Sequence, residues 1–383
     1  MTKIRKCLMV IAAIFAMVLL GGIGQTVSAN EFNFSVTPVR PDNQIGKSSY
    51  FNLQMTPGQS QTLTVTVSNT TEKTVVVEAA IASATTNING VVEYSPNKIK
   101  QDKTLTYNLA NQAKIPAEIT LTPKSTQQVK VDVTMPNVPF SGVIAGGITF
   151  KEKDSDADKA KAKGISIQNK YAYVIALLMQ QDSTRVAPNL QLTSAAPGQV
   201  NYRNVINANL QNPKAGYLNQ MYVQATVKGV SNTSLVYTAD KEMMQMAPNT
   251  NFDYPISIGE GKRIEPGKYQ LTMTVYGQKD DNGQYSYQDA QGNTQKFEYK
   301  WQFTQDFTIS GETARKLNAR DVTVLPEPWY HSWMIWAGAV LVLLALFFLF
   351  FLLGKRRKDD EEEKDSAKKQ AKKADKNSEK VAG

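Results

Sequence analysis

Cysteine and histidine are almost missing from this 383-residue chain, which holds one of each, Cys7 and His331. With a single cysteine no internal disulfide can form, so any fold must rest on buried apolar surface. The single histidine, His331, stands beside the long apolar run that begins at Trp333, which removes Ser-His-Asp and Cys-His nucleophile systems and histidine-ligated zinc sites together. No glycine-rich phosphate loop occurs, and no calcium-loop spacing accompanies the acidic runs at Asp154–Asp158 and Asp280-Asp281. Basic residues are not interleaved with aromatics, so nucleic acid is excluded as a partner. Neither a cofactor nor a metal is expected. The chemistry left for catalysis is a carboxylate pair, which needs two acids about 5 to 9.5 Å apart in a cleft. Glu72, Glu78, Glu93, Glu118, Glu242 and Glu260 are available, but none stands in a recognisable motif.

The formal charge of +9 divides by segment. Lys3, Arg5 and Lys6 supply +3, and the tail from Gly354 to Gly383, with eleven basic and eight acidic residues, supplies another +3. Between them 29 basic and 26 acidic residues leave only +3.

Long apolar runs occur twice. Trp333–Leu353 is followed at once by Lys355, Arg356, Arg357 and Lys358. At ~1.5 Å per residue the run spans about 31 Å, enough for a bilayer core, and the basic cluster predicts a cytoplasmic C-terminus. Trp329, Tyr330, Trp333 and Trp336 crowd the other end, where amphipathic rings favour the interface. A buried core helix is the alternative. At the start, the apolar stretch Cys7–Ile23 follows the three basic residues, and Val27-Ser28-Ala29 offers a small-residue cleavage pattern. A signal peptide over residues 1–29 is predicted, with an uncleaved anchor as the alternative.

Between these runs, apolar residues fall at every second position, the period of strands with one buried face. Leu63, Val65 and Val67 alternate with threonines, and Val129, Val131, Val133 and Met135 with polar residues. The pattern returns at Val223, Ala225 and Val227, at Leu271, Met273 and Val275, and at Phe297, Tyr299, Trp301 and Phe303. Pro57-Gly58, Asn89-Gly90, Pro197-Gly198, Pro266-Gly267 and Asn282-Gly283 predict turns. Many short strands with regular turns predict an all-β chain of two tandem immunoglobulin-like sandwiches, with no useful helix before the apolar span.

The expected boundaries are a first sandwich at 30–152, a charged linker at 153–163, a second sandwich at 164–315, a juxtamembrane segment at 316–332, a span at 333–353 and a tail at 354–383. The strand-like run 165–180 is placed in the second sandwich, or it completes the first with the charged stretch as a hairpin loop. Blocks of like charge in the tail predict no regular structure.

Two stretches could exceed scaffold. Phe140–Phe150 carries Gly142, Gly146 and Gly147, read either as a bulged inner strand or as a ligand-contact surface. Met243, Met244 and Met246 could fill a core or form an adaptable partner surface. With Arg40, Asn43 and Gln44 near the expected mature start, these residues form the candidate binding surface.

The opening Phe34–Gln44, then Tyr50–Leu53, Pro57–Gln59 and the glycine run, resembles the WxL-interacting proteins of Gram-positive cell surfaces. Leu210–Pro213, Met246–Ile256 and Pro266–Tyr269 resemble that family's second domain. The resemblance implies a first domain that binds peptidoglycan and a second that binds host surfaces, host extracellular-matrix proteins among them. It also implies secreted WxL-domain proteins as partners. Trp301-Gln302-Phe303 and Trp333-Met334-Ile335 depart from Trp-x-Leu, so the chain would be the partner of such proteins. Leu325-Pro326-Glu327 begins like a sortase motif, but Pro328-Trp329 follows where Thr-Gly is needed. A membrane-anchored, non-catalytic adaptor is the leading expectation. A single-pass receptor signalling through its tail and a glycan-acting envelope enzyme are the alternatives.

Overall fold

The computed structural model describes residues 32–154, 171–289, 291–325 and 333–379. The predicted signal peptide, His331 and most of the charged linker lie outside them. The chain divides into two units, one ending at Asp321 and the other beginning at Val322.

The first unit holds two β-sandwiches. In the first, β1 (Phe34–Val39), β2 (Phe51–Gln54), β3 (Ser60–Asn69) and β4 (Val75–Ser83) are followed by a small hairpin of β5 (Thr85–Thr86) and β6 (Val92–Glu93). A one-turn helix α1 (Leu109–Gln112), β7 (Ala113–Lys114), β8 (Glu118–Leu121), β9 (Thr126–Thr134), β10 (Ile144–Glu152) and β11 (Ala172–Gln180) complete it. One sheet runs β1-β3-β9-β7 and the other β2-β11-β10-β4-β8. Alternation decides which side chains meet between them. Leu63, Val65 and Val67 from β3 and Val129, Val131 and Val133 from β9 are almost fully buried, while Thr62, Thr64, Lys130 and Asp132 face away. Each such side chain contributes about 1.5 to 3 kcal/mol by leaving water.

β11 corrects the assignment of residues 165–180 to the second sandwich. It pairs antiparallel with β10 and parallel with β2, and its Ile175, Leu177 and Met179 enter the first core. The apolar run could not reveal its partner, because apolar character reports burial and not which strands lie alongside.

The second sandwich comprises β12 (Gln191–Val200), β13 (Arg203–Asn212), β14 (Leu218–Gly229), β15 (Val236–Met246), β16 (Thr250–Ser257), β17 (Gly267–Lys279), β18 (Tyr285–Gln288) and β19 (Thr294–Ile309). Its sheets run β12-β13-β16 and β15-β14-β17-β19-β18. Pro197-Gly198 lies inside β12, and the turn falls instead at Asn201 and Tyr202, whose φ angles of 50° and 58° reverse the chain. Phe297 leaves the core face shared by Trp301 and Phe303 and joins Tyr222, Tyr276 and Tyr287 in a separate cluster.

A helix the strand pattern hid, α2 (Gly311–Arg320), closes this sandwich and overruns the expected boundary at 315. The Ser310 hydroxyl caps it by accepting from the Thr313 N–H at 3.1 Å. Its buried Asn318 accepts from Ile264 N (2.8 Å) and Asn204 Nδ2 (2.9 Å) and donates to Ile264 O (2.9 Å). Asp321 accepts from Asn204 N at 2.7 Å.

In the second unit, α3 (Trp333–Glu379) includes Ile335–Leu353, with a mean hydropathy of 2.8. Among the described residues it is the one helix long and apolar enough to cross a membrane. The charged tail, expected without regular structure, continues this helix to Glu379, since Ala, Lys and Glu are strong helix formers.

Because Asn318 satisfies three buried groups at once, Asn318→Ala should destabilise the second sandwich by about 2 to 3 kcal/mol. Arg315→Ala, on the exposed side of the same helix, should change stability by less than about 0.5 kcal/mol. Denaturant melts of the two variants check this, and equal melts would remove Asn318 from the lock.

Candidate binding surfaces and the junction between the sandwiches

The candidate residues of the first sandwich separate by role. Arg40 is exposed just after β1. Asn43 donates to Gln54 O (2.9 Å) and accepts from Gln61 Nε2 (3.1 Å). The Gln44 amide donates to Ser48 Oγ (2.9 Å) and Tyr50 O (3.0 Å), while its oxygen accepts from Asn52 N (3.1 Å). These two side chains shape the loop between β1 and β2. Gly146 and Gly147 lie in the regular ladder that β10 forms with β4 and β11, so the strand has no bulge there. A Cβ at Gly147 would come within 2.6 Å of the Tyr94 carbonyl, which packs over the sheet.

Gly142 and the methionines turn towards the junction instead. Gly142 has φ +106°, and a Cβ there would fall 2.4 Å from Ala215 O of the second sandwich. Met244 and Met246 are core residues, 1% and 0% exposed, whereas Met243 is 68% exposed. The three do not form one surface, which corrects the partner-surface reading. The cause is a bulge: Val223 pairs with Lys241 but Met221 pairs with Met244, and Met243 sits at φ 57°. The extra residue reverses the inward parity of β15, sending Met243 out and Met244 in.

The two sandwiches meet along a buried seam that no single sequence motif announced. The β5–β6 hairpin inserts against the corner between β15 and β16. Gln245 N donates to Gly90 O at 2.7 Å, and Gly90, at φ +67°, packs so closely on Met244 that no side chain fits. Ala247 N donates to Thr86 Oγ1 (3.1 Å), Thr250 Oγ1 donates to Ala247 O (2.8 Å), and 2.7 Å separates the two threonine hydroxyls. Since the Thr250 proton is already used, Thr86 must donate to Thr250, which closes a three-member ring. Val143 N donates to Ala215 O (2.9 Å), the Tyr94 and Tyr217 hydroxyls are 3.1 Å apart, and Ala84, Ala145 and Ala247 pack beside them.

Asp102 is the charged centre of this seam and is only 7% exposed. Its carboxylate accepts from Thr104 N (2.8 Å) and Thr104 Oγ1 (2.7 Å) on its own loop. From the second sandwich it accepts Gln211 Nε2 (2.9 and 2.8 Å) and Asn251 Nδ2 (2.5 Å). Burial by itself pushes the Asp102 carboxyl upward, but the Thr104, Gln211 and Asn251 hydrogen bonds together outweigh it and hold the group below its ordinary 3.8. Asp102 also lines a groove of about 510 Å³, with Lys100, Lys103, Thr193, Asn209, Gln211 and Asn251. Gln211 and Asn251 stand within the segments resembling the family, but sequence alone gave no reason to join them to Asp102.

A second groove, of about 650 Å³, lies at the β14, β15 and β18 strands. Tyr287 stacks on Tyr222 with 4.2 Å between centroids and donates its hydroxyl to Glu242 at 2.8 Å. Burial first, then the bond to Glu242, pushes the Tyr287 phenol well up. Glu242 is thereby a hydrogen-bond acceptor for a structural tyrosine. Among the described residues no cluster of histidine, cysteine and carboxylates could hold a metal ion.

Met244→Ala and Met246→Ala should each cost about 2 to 5 kcal/mol, against less than about 0.5 kcal/mol for Met243→Ala. Chemical denaturation orders the three, and equal losses would contradict the bulge. For Asp102, a carboxyl with a depressed folded value contributes stability above its unfolded value and loses it as pH falls through the folded one. The wild type should therefore lose stability below pH 3.8 more steeply than Asp102→Asn. Parallel melts from pH 5 to pH 2.5 test this, and identical slopes would remove Asp102 as the origin.

Comparison with curated proteins gives no match. Among solved structures, the class 5 fimbrial chaperone CfaA is 12% identical, over 69% of this chain and 99% of that one, with a TM-score of 0.26. The Escherichia coli chaperone DraB is 12% identical over 67% and 91%, with a TM-score of 0.24. The Pseudomonas aeruginosa chaperone CupB2 is 10% identical over 66% and 93%, at 0.23. Family comparison is more specific. Residues 34–152 match the peptidoglycan binding domain, and residues 162–319 the host binding domain, of the WxL Interacting Protein. The second match begins before β11, although that strand pairs within the first sandwich. With both domains matched in order over most of its length, the chain belongs to the WxL-interacting protein family.

Proposed function

We propose that this protein is a membrane-anchored surface adaptor that works by binding alone. Its first sandwich holds peptidoglycan and its second a host ligand, and the pair presents secreted WxL-domain proteins at the envelope. The observation that carries this reading is the succession of two binding domains on one chain, followed by an apolar helix of spanning length. The basic cluster Lys355–Lys358 after that helix supports a cytoplasmic C-terminus. Near-absence of histidine and cysteine supports a role without nucleophilic chemistry.

The seam adds a physical reason to treat the two sandwiches as one working part. Buried hydrogen bonds and a buried carboxylate connect them, so a ligand on one is held at a defined place relative to a ligand on the other. A flexible linker would give no such constraint.

One experiment on wall-stripped cells tests anchoring and binding together. External protease should release the sandwiches and spare a tag placed after Gly383. The released fragment should sediment with insoluble peptidoglycan and liberate no soluble glycan. Loss of the tag without lysis would sink the orientation. Glycan release abolished by a single Asp or Glu substitution would overturn the non-catalytic reading.

A further inference from the structure

We propose that the groove beside Asp102 is a subsite for a carboxylate-bearing saccharide, built jointly by both sandwiches. This inference rests on the reading that the chain binds cell-wall glycan, and it locates part of that binding at the seam.

Lys100 and Lys103 flank Asp102 on an exposed loop, and among the described residues neither forms an ion pair with a carboxylate. Asp102 lines the same groove and stays ionised, but its oxygens are committed to Thr104, Gln211 and Asn251 and it forms an ion pair with neither lysine, so the loop holds two cations to one carboxylate. The loop is held in shape from both sides. Asn97 Oδ1 accepts from Ile99 N at 2.9 Å, and Asn108 Nδ2 donates to Gln101 Oε1 at 3.0 Å. Two unpaired cations on a fixed loop suit an anionic group.

The floor is oriented in the same way. The Thr193 hydroxyl donates to Asn209 Oδ1 (2.5 Å), and Asn209 Nδ2 donates to Asn251 Oδ1 (3.2 Å) and Asp253 Oδ1 (2.8 Å). These bonds fix which end of each amide faces which neighbour. Gln211 uses its amide protons on Asp102, so its carbonyl oxygen is left to accept from a ligand hydroxyl or amide.

The groove thus offers hydrogen-bond groups and positive charge without an aromatic or aliphatic pocket. An acidic peptide is a poorer fit. Gln211 pairs with Asn251 and Asn209 with Asp253, so the floor is a sheet face that presents side chains, not a strand edge, to a ligand. About 510 Å³ is enough for a short saccharide with its acidic substituent.

The test uses the full chain in detergent with N-acetylmuramic acid, its carboxamide derivative, N,N'-diacetylchitobiose and hexaglutamate as probes, read by calorimetry. N-acetylmuramic acid should bind more tightly than the carboxamide and diacetylchitobiose, and added salt should narrow the gap. The double variant Lys100→Gln/Lys103→Gln should weaken N-acetylmuramic acid about tenfold and erase that preference. Thr193→Val, which removes only a floor hydroxyl, should weaken N-acetylmuramic acid and diacetylchitobiose alike. Unchanged affinity in the lysine variant overturns the subsite, and hexaglutamate binding as tightly as the muramyl probe overturns its saccharide chemistry. Sedimentation with insoluble peptidoglycan separates the two levels. A wild type that does not sediment defeats the wall-binding reading itself. A wild type and lysine variant that sediment equally, with unequal probe binding absent, defeat this site alone.

Discussion

A buried carboxylate needs hydrogen-bond donors, and the first sandwich cannot supply enough of them to Asp102. Thr104 offers two from the same loop, while the remaining donors come from Gln211 and Asn251 on the other sandwich. Separating the sandwiches would return this charge to water and also strand the amides arranged around it. A buried polar contact of this kind adds little net attraction, but its geometric demands are strict. It therefore selects one relative arrangement more than it adds to total stability. The apolar patch of Ala84, Ala145 and Ala247 is non-directional by comparison.

The same seam explains features that otherwise look unrelated. Gly142 and Gly90 are the points of closest approach, where a side chain would meet Ala215 or Met244. Thr86 and Thr250 close their hydroxyl ring only when the hairpin is seated. Asn212, fully buried, donates to Gly216 O (2.7 Å) and Ala247 O (3.3 Å), and so ties together the two segments of the second sandwich that receive the first. Much of the stretch that resembles the family's second domain, Leu210–Pro213 and Met246–Asn251, is thus junction.

Faces were legible in the sequence wherever alternation ran unbroken. β3, β9, β14 and β17 show the expected residues buried, because period two reports directly on which side of a strand meets the core. Partners were not legible. The run at β11 is equally apolar whichever sandwich receives it, and only the pairing with β2 and β10 decides. Alternation also failed at Met243, where one extra residue changed the parity, and at α2, whose ten residues are mostly polar because only Ala314 and Asn318 are buried. Of the candidate surface, Arg40 and Met243 are exposed, while Asn43, Gln44 and the glycines serve loop shape and close packing. Asp102 escaped notice because a single aspartate in a lysine-rich loop has the composition of a solvated turn.

Burial and charge act in opposite directions at this loop, and their combination bears on how the groove could work. If Asp102 were exposed, it would compete with any acidic ligand for Lys100 and Lys103. Its engagement with the second sandwich keeps the charge but commits its oxygens to neutral donors, so neither lysine is held in an ion pair with it, and the same contact brings Gln211 and Asn251 to the groove floor. Docking of the sandwiches thus satisfies the loop's carboxylate and supplies the amides that lie beside it. The first sandwich alone would present the lysines with a hydrated aspartate between them, free to pair with either, and the second alone would present amides without cations. Neither half contains the groove's chemistry, which exists only while the seam is closed.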